Sequence, residues 1–264
     1  MKKLWSRPQS RLWLFALGVI LITVIILIIV TTGQELPETR PQSFSVTYKA
    51  YTPTVELYED IVIAPLGSYY QYSYKNHVSR INFTLSEAEL DAVYDIFRSS
   101  AFIRLPSVQD SLANGEAGTL VTLKAGRHEH TVVETPAAMI GEAWAGSWQF
   151  VRQAIFAVRG REFQDQAIPL SFQFDATLLG LPVSLYLNRE QIFQGEIQTQ
   201  FILVPFSVNK IPGDYLLEVS LGEALYGYSI TVPDVIDFVV GYPNNQLTIN
   251  NEPMYLEEPE IAPE

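Results

Sequence analysis

An uncharged apolar run near the N-terminus is the feature that most constrains this chain. It covers residues 12–30, and a helix with a rise of about 1.5 Å per residue would span about 28 Å there, close to the roughly 30 Å core of a membrane. Only a helix satisfies its own backbone hydrogen bonds at that depth. Four cations and no acidic residue precede the run. The sequence therefore predicts a single-pass transmembrane helix at residues 12–32, a cytoplasmic tail at residues 1–11 and an extracytoplasmic remainder.

A cleaved signal peptide is the alternative reading of this segment. Its apolar region is usually about 7–15 residues long and is followed by a cleavage site of small residues. The run here is longer, and Val30-Thr31-Thr32-Gly33 is a poor cleavage site. We therefore expect an uncleaved signal-anchor and a location in the cell membrane. The chain has no cysteine, which excludes a lipoprotein modification, disulfides and thiol chemistry.

The distribution of charge limits the kinds of partner. Four of the 17 basic residues precede the apolar run and all 29 acidic residues follow it, so residues 34–264 carry 13 − 29 = −16. A protein that binds nucleic acid or anionic lipid needs a basic face. We therefore expect no nucleic-acid or anionic-lipid partner, and basic proteins, neutral glycans and divalent cations remain as candidates. The alternative is that the acidic side chains only keep an exported domain solvated.

The N-terminal part of the predicted exterior reads as a spacer and an α+β domain. Residues 33–42 are polar, contain two prolines and are predicted to form a juxtamembrane spacer. Residues 43–163 mix the periods of strands and helices. Ser86 and Glu89 form a capping-box pattern, which predicts a helix over residues 86–99. A hairpin is predicted on either side of residues 125–127, followed by a second helix.

The second helix and the C-terminal part have simpler signals. Thr135 is predicted to cap the second helix and Gly160 to end it. Residues 167–243 then contain only short β-rich runs separated by turn residues, which is typical of a β-sandwich domain. Residues 244–264 are rich in Asn, Pro and Glu, and we expect them to form an acidic, Pro-rich tail without an ordered structure.

Two stretches resemble known bacterial modules. Residues 83–97 (FTLSEAELDAVYDIF), with Phe102, Leu105-Pro106 and the hairpin that carries His130, resemble a small α+β domain of exported bacterial proteins. The resemblance covers residues 80–160 or so. That family has no established activity, so the resemblance implies no catalytic residue.

The second resemblance concerns the β-rich part. Residues 183–195 (VSLYLNREQIFQG) and 212–219 (PGDYLLEV) are similar to bacterial immunoglobulin-like or prealbumin-like sandwiches. This resemblance implies a β-sandwich over about residues 168–242, without the cysteines of antibody-type domains. Both resemblances imply exported adhesion, scaffold or assembly modules.

Two groups of residues are candidate binding sites. His128 and His130 would share one face of a strand, as two metal ligands do, but a third ligand such as His77 or Glu116 would have to come from elsewhere in the fold. Ordinary half-exposed strand residues are the alternative, and the metal is unknown. Three tyrosines at alternate positions would line one strand face as a ligand platform, or pack within the sheet: Tyr70, Tyr72 and Tyr74.

No signature of catalysis stands out in the sequence. It contains no nucleophile elbow, no H-E-x-x-H zinc motif and no phosphate-binding glycine loop. The sequence thus identifies neither a catalytic residue nor a cofactor. It predicts a membrane-anchored extracytoplasmic binding or assembly module of the cell envelope, with another envelope protein or a cell-wall glycan as partner. The alternative is an exported hydrolase that depends on a metal or on carboxylates.

Overall fold

The computed structural model describes residues 35–107, 112 and 115–256 of the chain. The predicted transmembrane helix at residues 12–32 lies outside them. Among the described residues, no helix is long and apolar enough to cross a membrane. The longest helix carries charged side chains such as Arg152 and Arg159 along its length. The predicted fold class, with its single-pass transmembrane helix, is corrected accordingly: the described architecture is mainly β-sheet.

The first domain is built on a six-stranded antiparallel sheet in the order β4-β3-β2-β1-β5-β6. Alternate side chains point to opposite faces of a strand, and one face of this sheet is lined by apolar residues such as Val46, Ile61 and Val121. Its strands are β1 Ser45–Thr52, β2 Leu57–Ile63, β3 Ser68–Tyr74, β4 His77–Phe83, β5 Gly118–Ala125 and β6 His128–Glu134.

Helix α1 (Glu87–Ser99) packs on the apolar face of this sheet, and its predicted capping box is confirmed. The backbone N–H of Glu89 donates to Ser86 Oγ at 3.4 Å, and the Ser86 backbone N–H donates to the Glu89 carboxylate at 2.7 Å. These bonds satisfy two donors that a helix start otherwise leaves unpaired. The buried stripe of this helix follows the helical spacing of its apolar residues and consists of Leu90, Val93, Tyr94 and Phe97.

Helix α2 (Glu142–Gln166) packs on the same face, but the predicted ends of this helix are wrong. Thr135 does not cap it, because its backbone forms a small bridge with Ala138 instead. Gly160 does not end it either. A glycine within a helix costs only about 1 kcal/mol, and the apolar side chains of Val158 and Phe163 pack on the first core on either side of Gly160.

The segment predicted to be a free spacer is docked on the first domain, so this prediction is corrected for residues 35–42. Leu36 is buried in the first core, and the Tyr94 hydroxyl donates to Pro37 O at 2.7 Å. The Arg40 guanidinium pairs with Glu87 and Asp91 of α1. The polar composition of the segment suggested a spacer, but one buried leucine and one two-sided ion pair hold it against the helix.

The second domain consists of two packed sheets, which fit the predicted sandwich. One sheet has the order β9-β8-β11-β12-β16 and the other β10-β7-β13-β14-β15. A short helix, α3 (Thr199–Leu203), precedes β10. The strands are β7 Ile168–Phe174, β8 Pro182–Leu187, β9 Glu190–Glu196, β10 Phe206–Lys210, β11 Gly213–Leu221, β12 Ala224–Val232, β13 Asp237–Gly241, β14 Thr248–Ile249, β15 Glu252–Pro253 and β16 Tyr255–Leu256.

The pairing of β8 with β9 separates this sandwich from the immunoglobulin arrangement. In immunoglobulin domains the second and third strands lie in opposite sheets. Here β8 and β9, the second and third strands of the domain, are neighbours in one sheet. In the other sheet, β7 and β13 are neighbours and pair in parallel.

The acidic tail predicted at residues 244–264 is ordered as far as residue 256, which corrects that prediction. Three apolar side chains from this stretch, Leu247, Ile249 and Met254, are buried in the second core. The strands β14, β15 and β16 add to the edges of the two sheets. The composition of the segment does not predict that it is ordered, because a few apolar residues at the right positions are enough to dock a polar segment on the core. Residues 257–264 lie outside the described residues.

The two domains meet along β4 and β11. Gly213 of β11 pairs with Ser79 of β4, which joins the sheet of the first domain to a sheet of the sandwich. The backbone N–H of Arg80 donates to Pro212 O at 3.1 Å, and Ile211 is buried in the first core. The sequence predicted two domains, and the structure joins them through these backbone and core contacts.

Candidate functional site

One face of the first domain's sheet is open. Both long helices pack on the apolar face, and no helix among the described residues packs on the other. The open face is defined here by side chains from five of the strands, most of them partly or fully exposed: Thr47, Lys49, Asp60, Val62, Tyr69, Gln71, Arg80, Asn82, Leu120 and Thr122.

Strand register places two cations and a carboxylate in a single row on the open face. Lys49 is directly opposite Asp60, Asp60 is opposite Gln71, and Gln71 is opposite Arg80. Because neighbouring strands lie about 4.8 Å apart, Lys49 and Arg80 are separated by about 14 Å. The sequence separates these four residues widely, and only the meander of β1 to β4 brings them together.

Asp60 is a nearly buried carboxylate on this face, with only 7 % of its surface exposed. Its Oδ2 accepts a hydrogen bond of 2.9 Å from the Tyr69 hydroxyl, whereas Oδ1 is buried and has no hydrogen-bond partner among the described residues. Burial of the hydroxyl and its bond to Asp60 raise the pKa of Tyr69 to about 12. The pair is therefore a neutral phenol held by a carboxylate.

Arg80 lies over the ring of Tyr69, with 3.9 Å between its guanidinium carbon and the ring centre. Its Nε donates to Asn82 Oδ1 at 3.1 Å. No acidic side chain of the described residues lies within ion-pair distance of it. Six other arginines of this acidic chain do have acidic partners: Arg40, Arg98, Arg104, Arg152, Arg159 and Arg161.

A cleft of about 490 Å³ lies beside this arginine. The β2–β3 turn forms one wall with Leu66 and Gly67, and β3 and β4 form the other with Tyr69, Arg80 and Asn82. Leu66 is fully exposed at the rim. Ligand sites in proteins commonly have about this volume and combine apolar walls with a few fixed polar groups.

A smaller cavity of about 90 Å³ lies at the domain junction. Tyr72 lines it and donates from its hydroxyl to Asn188 O at 3.3 Å, and Lys210 lines it and pairs with Glu190. Burial and the neighbouring carboxylates of Glu190 and Glu59 raise the pKa of Tyr72 to about 12. At roughly 30 Å³ per water molecule this space suits a few waters, so the larger cleft is the better candidate site.

The tyrosines predicted as a ligand platform lie on the apolar side of the sheet. Tyr70 is buried in the first core, and both Tyr70 and Tyr72 line the junction cavity. Tyr74 is buried and donates to Glu218 Oε1 of the second domain at 3.3 Å. Their visible contacts are with the core and the junction, and contact with a ligand stays a prediction.

The histidines predicted as metal ligands are placed on β6. His130 Nε2 lies 2.9 Å from Leu105 O, and its ring packs edge-on against Phe102. His128 is half-buried near the hairpin turn. His77, one candidate third ligand, contacts Ser229 at the domain junction instead. Within the described part of the chain, no group of three or more histidine and carboxylate side chains could hold a metal ion.

Sequence reasoning missed Asp60, Arg80 and Asn82 as members of a site. Alternation along β3 places Tyr69 on the face opposite Tyr70, but the sequence does not indicate which residues it contacts. A usable signal was present: β3 alternates Tyr69 and Gln71 on one side, and β4 alternates Arg80 and Asn82 in the same way. Pairing these two runs as a tight hairpin would have put the four side chains on one face.

No protein-family model matches this sequence, and no curated protein matches it. The resemblances to exported α+β domains and to bacterial sandwiches therefore stay predictions from the residues alone. Fold and site define a two-domain protein in which an α+β domain with an open sheet face is joined to a β-sandwich.

Proposed function

We propose that this chain is a non-enzymatic binding module that recognises another protein through the open face of its first domain. One observation carries the proposal: a broad sheet face, uncovered by any described helix, displays tyrosine and arginine beside polar side chains. Tyrosine and arginine are enriched where proteins bind one another. An envelope protein is the proposed partner, and that setting comes from the sequence alone.

The junction supports this proposal, because it makes the two domains act as one body. Backbone pairing of Gly213 with Ser79 is reinforced by the Tyr74–Glu218 hydrogen bond and by the close approach of Lys75 to Glu218 at 4.0 Å. A surface on the first domain is then presented at a fixed angle to the sandwich. Such rigidity favours recognition, since little conformational freedom is lost on binding.

Site-specific photo-crosslinking tests the proposal. A photoreactive benzoylphenylalanine replaces Gln71 on the open face or, as the control, Ala92 on the exposed side of α1. We expect light-dependent protein adducts in intact cells from the Gln71 position and none from Ala92. Equal adducts at both positions, or none at either, would contradict the proposal. Adducts at Gln71 with glycan in place of protein would assign the face to a cell-wall ligand.

The exported hydrolase predicted as the alternative finds no support in the cleft beside Arg80. Such an enzyme needs converging carboxylates or a metal bound in a pocket. The cleft beside Arg80 is lined by Leu66, Tyr69, Asn82 and their neighbours, and no carboxylate from the described ranges lines it. The binding module is therefore the function that the geometry supports best.

A further inference from the structure

Arg80 offers an unused set of hydrogen-bond donors next to the cleft. A guanidinium carries five N–H groups, and here the Nε–H bonds to Asn82 Oδ1. The four N–H groups on its terminal nitrogens have no hydrogen-bond partner among the described residues. Asn82 and the Tyr69 ring hold the rest of the group in place. The Nε edge of the guanidinium is therefore held in place, and its terminal N–H groups are available to a ligand.

A chain of contacts behind Arg80 fixes its position before any ligand arrives. Asp60 accepts the hydrogen bond from the Tyr69 hydroxyl, and the Tyr69 ring supports the guanidinium. Asp60 in turn is held at the centre of the sheet, opposite Lys49 and Gln71. A side chain that is ordered beforehand loses less entropy on binding than a flexible one.

The charge of the open face is opposite to that of the rest of the molecule. The chain has a formal net charge of −12, yet this face carries Lys49 and Arg80, neither of which has an acidic partner within ion-pair distance among the described residues. Asp60 is the carboxylate between them, and its surface is nearly buried. An acidic ligand would be repelled by most of the surface and attracted here.

The geometry points to a receptor for carboxylates of an acidic peptide segment, with Arg80 as the principal contact. Two parallel N–H groups of a guanidinium match the two oxygens of a carboxylate. Exposed Leu66 at the rim would pack against an apolar side chain next to that carboxylate. Lys49 lies about 14 Å away across three strand spacings, which is about four residues of an extended chain. The segment would carry its second carboxylate at that interval.

This inference rests on the proposed function and names the chemical class of the partner. The test measures binding of the full chain to a fluorescent octapeptide of alternating leucine and glutamate. A matched octapeptide of leucine and glutamine is the control ligand. We expect the glutamine peptide to bind at least tenfold more weakly, because it lacks the charge that makes such hydrogen bonds strong.

Variants then assign the contact to Arg80. Arg80→Gln should weaken binding of the glutamate peptide at least tenfold, and Arg80→Lys should weaken it less, because it keeps the charge but not the fork. Arg127→Gln is the matched control, since Arg127 is also exposed and has no acidic partner among the described residues. It should change the affinity less than twofold. Unchanged melting temperatures show that the variants are folded.

Several results would overturn the inference. These are equal affinity for the two peptides, an equal effect of Arg80→Gln and Arg127→Gln, and no measurable binding of the glutamate peptide. Competition by inorganic phosphate or by an acidic oligosaccharide at lower concentration than the peptide would assign the site to another anion. If the peptide experiment fails but crosslinking at Gln71 captures a protein, only the acidic-peptide inference is wrong and the proposed function stands. If crosslinking at Gln71 also captures no protein, the proposed function is wrong as well.

Discussion

Gly213 and Ser79 approach each other so closely that a side chain at residue 213 cannot fit between the two domains. A Cβ atom built on Gly213 would lie 2.3 Å from Ser79 Cα and 2.7 Å from Val78 O. Gly213 also has φ of +140°, in a region that L-residues rarely adopt. The junction therefore depends on a glycine for two reasons, backbone conformation and close approach.

Gly213→Ala should weaken the junction more than its backbone strain explains. Gly67→Ala is the matched control, because Gly67 has φ of +134° and a Cβ atom added there would meet nothing within 4 Å. We expect about 1–3 kcal/mol of destabilisation from strain in the control and clearly more at Gly213. Denaturant unfolding of the full chain measures both. An equal loss of unfolding free energy in the two variants would show that Ser79 moves aside at no measurable cost.

Ser86→Ala should remove the cap of α1. The Ser86 side chain accepts the Glu89 N–H bond, so its loss should lower the free energy of unfolding by about 1 kcal/mol. Ser99→Ala is the comparison within the same helix, because Ser99 is exposed at the C-terminal end and bonds only back to Ile96 O. Its effect should stay within about 0.5 kcal/mol. Similar losses for the two variants would argue that the capping box contributes nothing specific.

Leu247→Ala should destabilise the sandwich, although residue 247 falls in a stretch that reads as a polar tail. The side chain is fully buried, and truncation of a buried leucine usually costs about 2–5 kcal/mol. Leu256→Ala removes the same atoms from a leucine that is 65 % exposed, and it should cost about 0.5 kcal/mol or less. Thermal unfolding measures the melting temperatures of the two variants. Equal melting temperatures would contradict the packing of Leu247 in the core.

Alkaline pH should weaken the fold partly through Tyr72 and Tyr215. The pKa of each hydroxyl is raised from 10.0 to about 12, mainly by burial. A pKa that is higher in the folded than in the unfolded state gives stability that is complete below pH 10 and is lost as pH rises to about 12. The unfolding free energy of the wild type should therefore fall across this window.

Removing the ionisable hydroxyls should reduce that slope. Tyr72→Phe should make the fall between pH 10 and 12 shallower, and the double variant with Tyr215→Phe should make it shallower still. Denaturant titrations at several pH values measure the slope directly. An unchanged slope in both variants would mean that other groups control alkaline unfolding.

Local signals carried most of what the sequence could predict about the fold. The capping box at Ser86 and Glu89 is complete within four residues, so the start of helix α1 could be predicted from the sequence. The helical spacing of its apolar residues likewise indicates the buried stripe. The short β-rich runs likewise indicated the sandwich. The ends of α2 and the docking of Leu36 were not readable, because they depend on tertiary contacts with distant residues.

The candidate site was hidden for a different reason. Alternation along β3 separates Tyr69 from Tyr70 but does not say which of the two faces is covered. The answer comes from the helices, which bury the side with Tyr70. Asp60, Tyr69 and Arg80 then meet because three strands pair in one register. The short turn from β3 to β4 indicates the pairing of those two strands, but no spacing within the sequence shows that Asp60 of β2 lies beside them.

Arg80 belongs to both the cleft and the domain junction. Its backbone N–H bonds to Pro212 O, one residue from the Gly213 contact, while its side chain borders the cleft. A ligand that binds Arg80 more tightly when the sandwich is attached would also strengthen that attachment. Thermodynamic linkage makes the effect reciprocal, so a change that loosens the attachment must lower ligand affinity by the same factor. Tension that pulls the two halves apart would then act as a regulator of recognition.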